Sequence, residues 1–255
     1  IVINAYDKEK FATIINNKKD RTFLLSYPRS GNTWLRYCIE FTTQRPSFNR
    51  FNLKHNVNFP LGWSADFHLD ITKAPIEKVH FAGELEKSGA NTNVDAIILI
   101  VRNPKETLIR HLGKTVLMEA VQGNTVPKNL KVYFEALEIF DAWKSPKKMI
   151  VYYEDLLQDP EKVLNEILDF LKEPADRLQE FLANYQMHKR KCLSIYKASE
   201  SNGNDLLFHS KSLSAEERTQ IDEWIKNTAP YLWEKYLAVR YAETALRSIS
   251  FHLFE

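Results

Sequence analysis

Four short apolar runs recur along this sequence, namely Thr22–Ser26, Lys78–Phe81, Ala96–Val101 and Lys148–Tyr153. The run at Ala96–Val101 is unbroken and rich in β-branched residues, which is typical of a central strand buried on both faces. Segments with apolar residues at helical spacing follow three of the four runs, at Thr33–Gln44, Pro104–Lys114, Leu130–Trp143 and Pro160–Leu171. This alternation predicts an α/β fold whose central parallel sheet is flanked by helices on both faces.

The C-terminal third is predicted to be mainly helical. Helices are expected over Ala175–Gln186 and Ser214–Thr228, and the second begins with the residues of a capping box. The polar stretch Lys189–Lys211 between them is predicted to be a surface loop.

Two other segments have no clear period. Val2–Asn17 is consistent with a short helix or an extended lead, and Arg45–Ile76 is rich in aromatic residues and histidine. The second segment is interpreted either as a lid or pocket wall or as a partly ordered surface excursion. Because no repeat or linker divides the chain, we expect a single domain over residues 1–255, with its core at about 21–246.

Composition narrows the possible partners. The chain has 255 residues, 44% of them hydrophobic, and a net charge of +2, so it can bury a sizeable core but carries no strong global field. Nucleic acid is therefore not expected as a partner. No apolar run is long enough to cross a membrane, and the two cysteines lack metal-ligand spacing. We expect a cytoplasmic protein without membrane association and without a metal.

The first strand leads into its helix through a tight loop, Tyr27–Asn32, which contains one glycine. A strand, a short turn and a helix start leave several backbone amides directed at one point, with the helix dipole behind them. Arg29 adds a permanent positive charge, and Ser30 and Thr33 add hydroxyls. The loop therefore predicts an anion site. It is not a Walker A loop, because no Gly-Lys-Ser/Thr triplet occurs in it.

The sequence Tyr-Pro-Arg-Ser-Gly-Asn-Thr-Trp at positions 27–34 resembles the 5′-phosphosulfate loop of sulfotransferases that use 3′-phosphoadenosine 5′-phosphosulfate (PAPS). That loop usually reads Tyr-Pro-Lys-Ser-Gly-Thr-Thr-Trp, so Arg29 replaces a lysine and Asn32 replaces a threonine. The resemblance implies a P-loop-like fold, with PAPS as cofactor. It further implies that the cofactor is bound by loop residues and their neighbours, namely Arg29, Ser30, Gly31, Asn32, Thr33 and Trp34. The role implied for Trp34 is stacking on the adenine, and the alternative is an ordinary core position.

Two further segments resemble the same family. Arg102 corresponds to the arginine of the 3′-phosphate segment, and Arg110 stands eight residues later, where the family has a serine. Tyr153 corresponds to the tyrosine of the family's Tyr-Glu-Asp segment, which helps to hold the adenine. Without the resemblance, Arg102 would be interpreted as a strand-end arginine paired with a surface carboxylate, and Tyr153 as a core tyrosine.

The catalytic residues are also implied by the resemblance. The family's catalytic histidine lies in a Lys-X-His strand end, and here Lys78-Val79-His80 places His80 twenty-two residues before Arg102, at the family's distance. His80 is the expected general base, Lys78 is expected to contact the sulfuryl oxygens, and Arg29 is expected to act electrostatically. His111 remains the rival base.

The family's C-terminal Arg-Lys-Gly-X-X-Gly-X-Trp segment, which completes the 3′-phosphate site, is missing. Lys197, His209 and Lys211 are the residues that could substitute for it, and the sequence does not choose among them.

The function implied is in-line transfer of a sulfuryl group from PAPS to a hydroxyl or amine of a small-molecule acceptor, with a glycan also compatible. The alternatives are a P-loop-like nucleotide or small-molecule kinase and a catalytically silent nucleotide-binding protein of the same fold. The sequence leaves the oligomeric state open.

Overall fold

The computed structural model describes residues 21–48, 74–195 and 209–242. The prediction for Val2–Asn17, most of Arg45–Ile76 and the candidate residue Lys197 lie outside the described residues.

The described residues form one sheet of four parallel strands, β1 Thr22–Ser26, β2 Glu77–Val79, β3 Ala96–Val101 and β4 Lys148–Tyr152. The strand order is β2-β1-β3-β4. From β1 the chain moves first to one side of the sheet and then to the other, which opens a crevice outside the carboxyl ends of β1 and β3. In open parallel sheets such a crevice is the usual ligand site.

The helices of the described ranges are α1 Asn32–Thr43, α2 Ala82–Lys87, α3 Pro104–Leu112, α4 Lys114–Gln122, α5 Lys128–Ala142, α6 Tyr153–Gln158, α7 Pro160–Leu171, α8 Leu178–Ala183, α9 Tyr185–Ile195 and α10 Ala215–Thr228. Short helical turns follow, α11 Pro230–Leu232, a π-helical turn at Trp233–Leu237 and α12 Ala238–Tyr241. None of the helices in these ranges combines the length and the apolar character needed to cross a membrane.

Several helix predictions were wrong in detail. The polar loop predicted over Lys189–Lys211 is wrong at both of its described ends, since α9 continues to Ile195 and a 3-10 helix spans Ser210–Ser212. The buried face of α9 is carried by His188 and Cys192 rather than by aliphatic residues. The single helix predicted at Ala175–Gln186 is divided into α8 and α9. Helices α2, α4, α6, α11 and α12 were not predicted. The second strand was predicted at Lys78–Phe81 but spans Glu77–Val79, and Tyr153, predicted to end the fourth strand, is the first residue of α6. In contrast, Ser214 caps α10 in a capping box with Glu217, as predicted.

Side chains alternate between the two faces of the sheet and contribute to two hydrophobic cores, one on each face. Phe23, Leu25 and Leu99 pack with helices α3 to α5 and with the C-terminal helices. Leu24 and Ile98 pack with α1 and with α7 to α9. The period of two along β1 and β3 explains this division. The predicted α/β fold, a parallel sheet with helices on both faces, is therefore confirmed.

A buried ion pair connects the C-terminal helices to α3. The ammonium of Lys105, which is almost completely buried, contacts the carboxylate of Asp222 in α10 and donates a hydrogen bond to the carbonyl oxygen of Tyr241 at 2.7 Å. A buried ammonium is stable only when it is paired and hydrogen-bonded. This contact therefore fixes α10 and α12 relative to the helix that follows β3.

Candidate functional site

The loop at Tyr27–Asn32 follows β1 and opens α1. It begins with a tight turn, in which the Ser30 amide donates to the Tyr27 carbonyl at 3.2 Å. Arg29 and Gly31 both have left-handed backbone conformations, with φ of 74° and 98°. Alternating backbone handedness of this kind turns successive N–H groups toward one side and forms an anion-binding concavity. Helix α1 has neither a capping side chain nor an acidic residue in its first turn, so its dipole faces the same concavity.

The close packing of Tyr153 on the loop requires glycine at position 31. A Cβ added to Gly31 would overlap Cδ2 and Cε2 of Tyr153 and lie 3.1 Å from its Cγ. The guanidinium carbon of Arg102 lies 4.6 Å from the centroid of the same tyrosine ring. The loop, the ring and the guanidinium are therefore layered on each other at the ends of three neighbouring strands.

Arginines surround the loop. Arg102 is 2% exposed, and its Nη1 lies 3.5 Å from the carbonyl oxygen of Arg29. Arg110 lies in the last turn of α3, where burial, then the charge of Arg102 and, more weakly, that of Arg29 lower its pKa. The region therefore contains three cationic side chains, those of Arg29, Arg102 and Arg110. Glu106 offsets part of this charge through a 3.4 Å contact with Arg102, and the region remains suited to a polyanion.

Several buried polar atoms at the loop have no hydrogen-bond partner among the described residues. They include Tyr27 Oη, Ser30 Oγ, Asn32 Oδ1 and Arg102 Nε. Leaving such an atom unpaired typically costs about 1–3 kcal/mol. Their concentration at one loop indicates a surface built to contact a polar ligand, and donors such as the Ser30 hydroxyl and the Arg102 guanidinium match phosphate and sulfate oxygens.

His80 follows β2 and lies beside the loop. Its Nδ1 is 2.7 Å from the Ser26 carbonyl oxygen and 3.1 Å from Ser26 Oγ, and Asn32 Nδ2 donates to that hydroxyl at 3.0 Å. Because a carbonyl oxygen can only accept, Nδ1 carries the proton and Nε2 keeps its lone pair. Burial, followed by the charge of Lys78, lowers the pKa of His80 to about 4, so the imidazole is neutral at physiological pH.

Lys78 precedes His80 at the end of β2. Burial and then the charge of Arg36 lower its pKa to about 8, while Glu84 acts in the opposite direction. The Glu84 carboxylate also accepts a hydrogen bond from the His80 amide at 2.6 Å. Sequence reasoning missed Glu84 and Ser26 as neighbours of His80. Glu84 lies four residues after His80, in the first turn of α2, which is the usual place for a carboxylate that caps a helix start.

Trp34 lies in an aromatic cluster beneath the loop. Its ring stacks on Tyr37 at 5.6 Å with an interplanar angle of 19°, and it meets Tyr185 edge-on at 5.5 Å. Phe181 packs against it as well, and Trp34 is only 6% exposed. The adenine-stacking role therefore stays a prediction, and the core contacts are what the structure describes.

The remaining candidates are His111, His209 and Lys211, which have different surroundings. The ring of His111 lies 5.1 Å from that of Tyr27, and burial and the Arg29 charge lower its pKa. Lys211 is exposed, whereas the backbone of His209 contacts Glu106. No group of three or more histidine, cysteine or acidic side chains in the described ranges is arranged to hold a metal ion, and the expectation of metal-free chemistry stays a prediction.

The loop has left-handed residues, opens an uncapped helix and packs on Tyr153, which in turn packs on Arg102. These features, at the edge of a parallel sheet with helices on both faces, are those of an α/β fold with an anion-binding loop of P-loop-like type. The chain belongs to the sulfotransferase domain family, whose model matches residues 19–244. This confirms the family resemblance inferred from the sequence.

Two named relatives are consistent with this membership. Cytosolic sulfotransferase 13 of Arabidopsis thaliana is 25% identical over 171 residues, which cover 58% of this chain and 52% of that protein. The match thus spans about half the length of the Arabidopsis relative. Sulfotransferase 2A6 of Rattus norvegicus is 27% identical over 219 residues and covers 76% of each chain.

Solved structures share the fold. Mouse sulfotransferase SULT7A1, solved in complex with PAP, superposes with a TM-score of 0.52 at 17% identity and covers 96% of this chain and 94% of its own. Retinol dehydratase, solved with retinol and PAP, has a TM-score of 0.54 at 16% identity, with 92% and 87% covered. At these identities the likeness concerns the fold alone.

Proposed function

We propose that this protein transfers a sulfuryl group from PAPS to a hydroxyl or amine of a small-molecule acceptor. The observation that carries the proposal is the loop at Arg29–Asn32, whose left-handed backbone opens an uncapped helix beside the Arg102 guanidinium. Family membership supports the reaction class, and the fold neighbours solved with PAP support the donor.

The residues around the loop fit such a donor. When bound, PAPS supplies an activated sulfuryl group on a phosphate leaving group. The loop amides, the Ser30 hydroxyl and the Arg29 guanidinium would bind the 5′ end and offset negative charge as it develops there. Arg102 and Arg110 would bind the 3′-phosphate through charge-assisted hydrogen bonds. Tyr153 would contact the adenine side, and Trp34 would do so only if its stacking partners moved aside.

His80 is the proposed general base. Its Nδ1 proton is held by the Ser26 carbonyl, so Nε2 is the atom that would accept the proton of the acceptor hydroxyl or amine. Lys78 on the same strand end would contact the sulfuryl oxygens. Because the imidazole is neutral and its orientation is fixed by two partners, no rearrangement is needed before proton transfer.

The acceptor is proposed to be a small molecule. Retinol dehydratase has been solved with retinol and with androsterone, which supports this class over a glycan. We also propose a cytoplasmic location, in line with the relative named a cytosolic sulfotransferase.

Transfer of labelled sulfate from PAPS to a panel of phenols, alcohols, amines and short glycans, with and without EDTA, tests the proposal. We expect transfer to a small molecule that EDTA does not reduce. Phosphoryl transfer from ATP that requires Mg²⁺ would favour a kinase, and PAP binding without any transfer would indicate a catalytically silent protein. Either result contradicts the proposal.

The expected pH dependence of kcat/KM follows from two ionisable side chains, His80 and Lys78. His80 must be neutral to act as a base, and its pKa of about 4 places the loss of activity in acid below that value. Lys78 must be charged, and its pKa of about 8 places a second loss above that value. We expect kcat/KM, measured with the best acceptor of the panel, to be highest between these limits. In the variant Lys78→Arg the alkaline fall should disappear, and its persistence would show that Lys78 is not its origin.

A further inference from the structure

Glu106 is a fully buried carboxylate in α3, one helical turn after Arg102. Its Oε1 lies 3.4 Å from Arg102 Nη2. Its Oε2 accepts hydrogen bonds from the backbone amides of His209 at 3.0 Å and Ser210 at 2.9 Å. The carboxylate thus connects a site arginine with a turn that is 103 residues further along the chain.

The turn in question belongs to the part of the chain where the family's C-terminal segment is missing. It continues as a short 3-10 helix, Ser210–Ser212, and Lys114 Nζ donates to the Ser212 carbonyl at 2.7 Å. The amides of His209 and Ser210 attach the turn to Glu106 of α3, the helix that carries Arg110 and begins two residues after Arg102. Through this attachment the His209 backbone lies next to Glu106, which also contacts Arg102.

The hydrogen bonds that Glu106 accepts are charge-assisted. Two consecutive backbone amides converge on one buried carboxylate, and such charge-assisted bonds are about twice as strong as neutral ones. A buried carboxylate that lost these partners would be strongly destabilised. On the other side of the same group, the Arg102 guanidinium lies between Glu106 and the ring of Tyr153, so its orientation depends on both.

The backbone of His209 contacts Glu106, which also contacts Arg102. Burial lowers the pKa of its imidazole, Glu106 raises it, and the positive charges of Arg110 and Arg102 lower it further. The shared contact with Glu106 thus places His209 near the Arg102 guanidinium, which is proposed to bind the 3′-phosphate. Lys211, the other described candidate, is exposed two residues further on.

We propose that Glu106 is a positioning residue, which holds the His209–Ser210 turn and the Arg102 guanidinium together and so builds the 3′-phosphate side of the donor site in place of the missing C-terminal segment. This inference rests on the proposed function. It assigns His209 as the residue that the turn contributes to that side.

The variant Glu106→Gln separates positioning from charge. If Glu106 were only a counter-charge, its removal would leave the arginines more positive and adenosine 3′,5′-bisphosphate (PAP) would bind more tightly. If it positions the turn and Arg102, we expect PAP affinity measured by calorimetry to fall by about tenfold or more. Affinity for adenosine 5′-monophosphate, which lacks the 3′-phosphate, should stay within about twofold of the unmodified protein, since the loop that binds the 5′ end is untouched. The exposed Glu119→Gln, with the same change of charge in α4, is the control and should affect neither ligand.

Two further variants test the positioning role of Glu106 if Glu106→Gln does not fold. Glu106→Asp keeps the charge but withdraws the carboxylate by one methylene, and His209→Ala keeps the clamp but removes the imidazole; each should weaken PAP selectively. Unchanged or tighter PAP binding, or an equal loss for both nucleotides, would overturn the inference. If the unmodified protein itself does not bind PAP, the proposed function fails first, which is a different result.

Discussion

Replacing Gly31 with alanine is expected to abolish measurable donor binding, raising the Kd for PAP by at least about a hundredfold, because the change disturbs three layers of the site at once. The new Cβ would overlap the ring of Tyr153, and a φ of 98° is unfavourable for any residue with a Cβ. Displacement of the ring removes the support of Arg102, whose guanidinium packs against that ring. The free energy of unfolding should also fall, by about 1–3 kcal/mol.

Gly83 provides the matched control for this substitution. It lies in α2, its φ is not positive, and a Cβ added there would meet nothing within 4 Å. Gly83→Ala should leave PAP binding unchanged and stabilise the fold slightly, by about 0.5–1 kcal/mol, since alanine is the better helix former. Calorimetry and urea unfolding of both variants provide the comparison. If Gly31→Ala bound PAP as well as Gly83→Ala, the described packing of the loop on Tyr153 would be wrong.

Replacing His80 with alanine is expected to lower kcat by about a thousandfold while PAP affinity changes by less than about twofold. The reason is that Nε2 is proposed to contact the acceptor, whereas the donor phosphates are proposed to bind the loop, Arg102 and Arg110, none of which this substitution changes. Rapid-mix assays of sulfate transfer, together with calorimetry on the same samples, measure the two quantities separately.

His111→Ala is the comparison that makes this test specific. His111 packs on Tyr27 near Arg29, and it is the other histidine beside the loop that sequence analysis retained as a base. We expect this variant to keep most of the turnover. If His111→Ala lost activity and His80→Ala did not, the general base would have to be reassigned.

Much of the fold could be predicted because its determinants are local. The apolar run of β3 and the helix that starts at Pro160 are encoded by neighbouring residues, and both occur where expected. The loop around Gly31 is likewise a continuous motif. Local patterns do not predict every boundary. Gly113 adopts a φ of 82° and separates α3 from α4, but a single glycine in the sequence did not indicate that a second helix follows it.

The rest of the site depends on contacts between distant parts of the chain. Nothing near Glu106 in the sequence points to His209 and Ser210, and nothing near Lys105 points to Asp222. Such pairs are fixed by how α10 and the preceding turn dock on α3, which is decided by the packed core as a whole. The orientation of His80 through Ser26 also required the strand order, because β1 and β2 become neighbours only in the sheet.

Calorimetric titration of the unmodified protein with PAP most directly tests whether the loop, Arg102 and Arg110 form a site for a doubly phosphorylated adenosine. The account predicts saturable one-to-one binding that is at least about tenfold tighter than binding of adenosine 5′-monophosphate, because the 3′-phosphate adds charge-assisted bonds. Absence of binding even at millimolar PAP, or equal affinity for the two nucleotides, would contradict it.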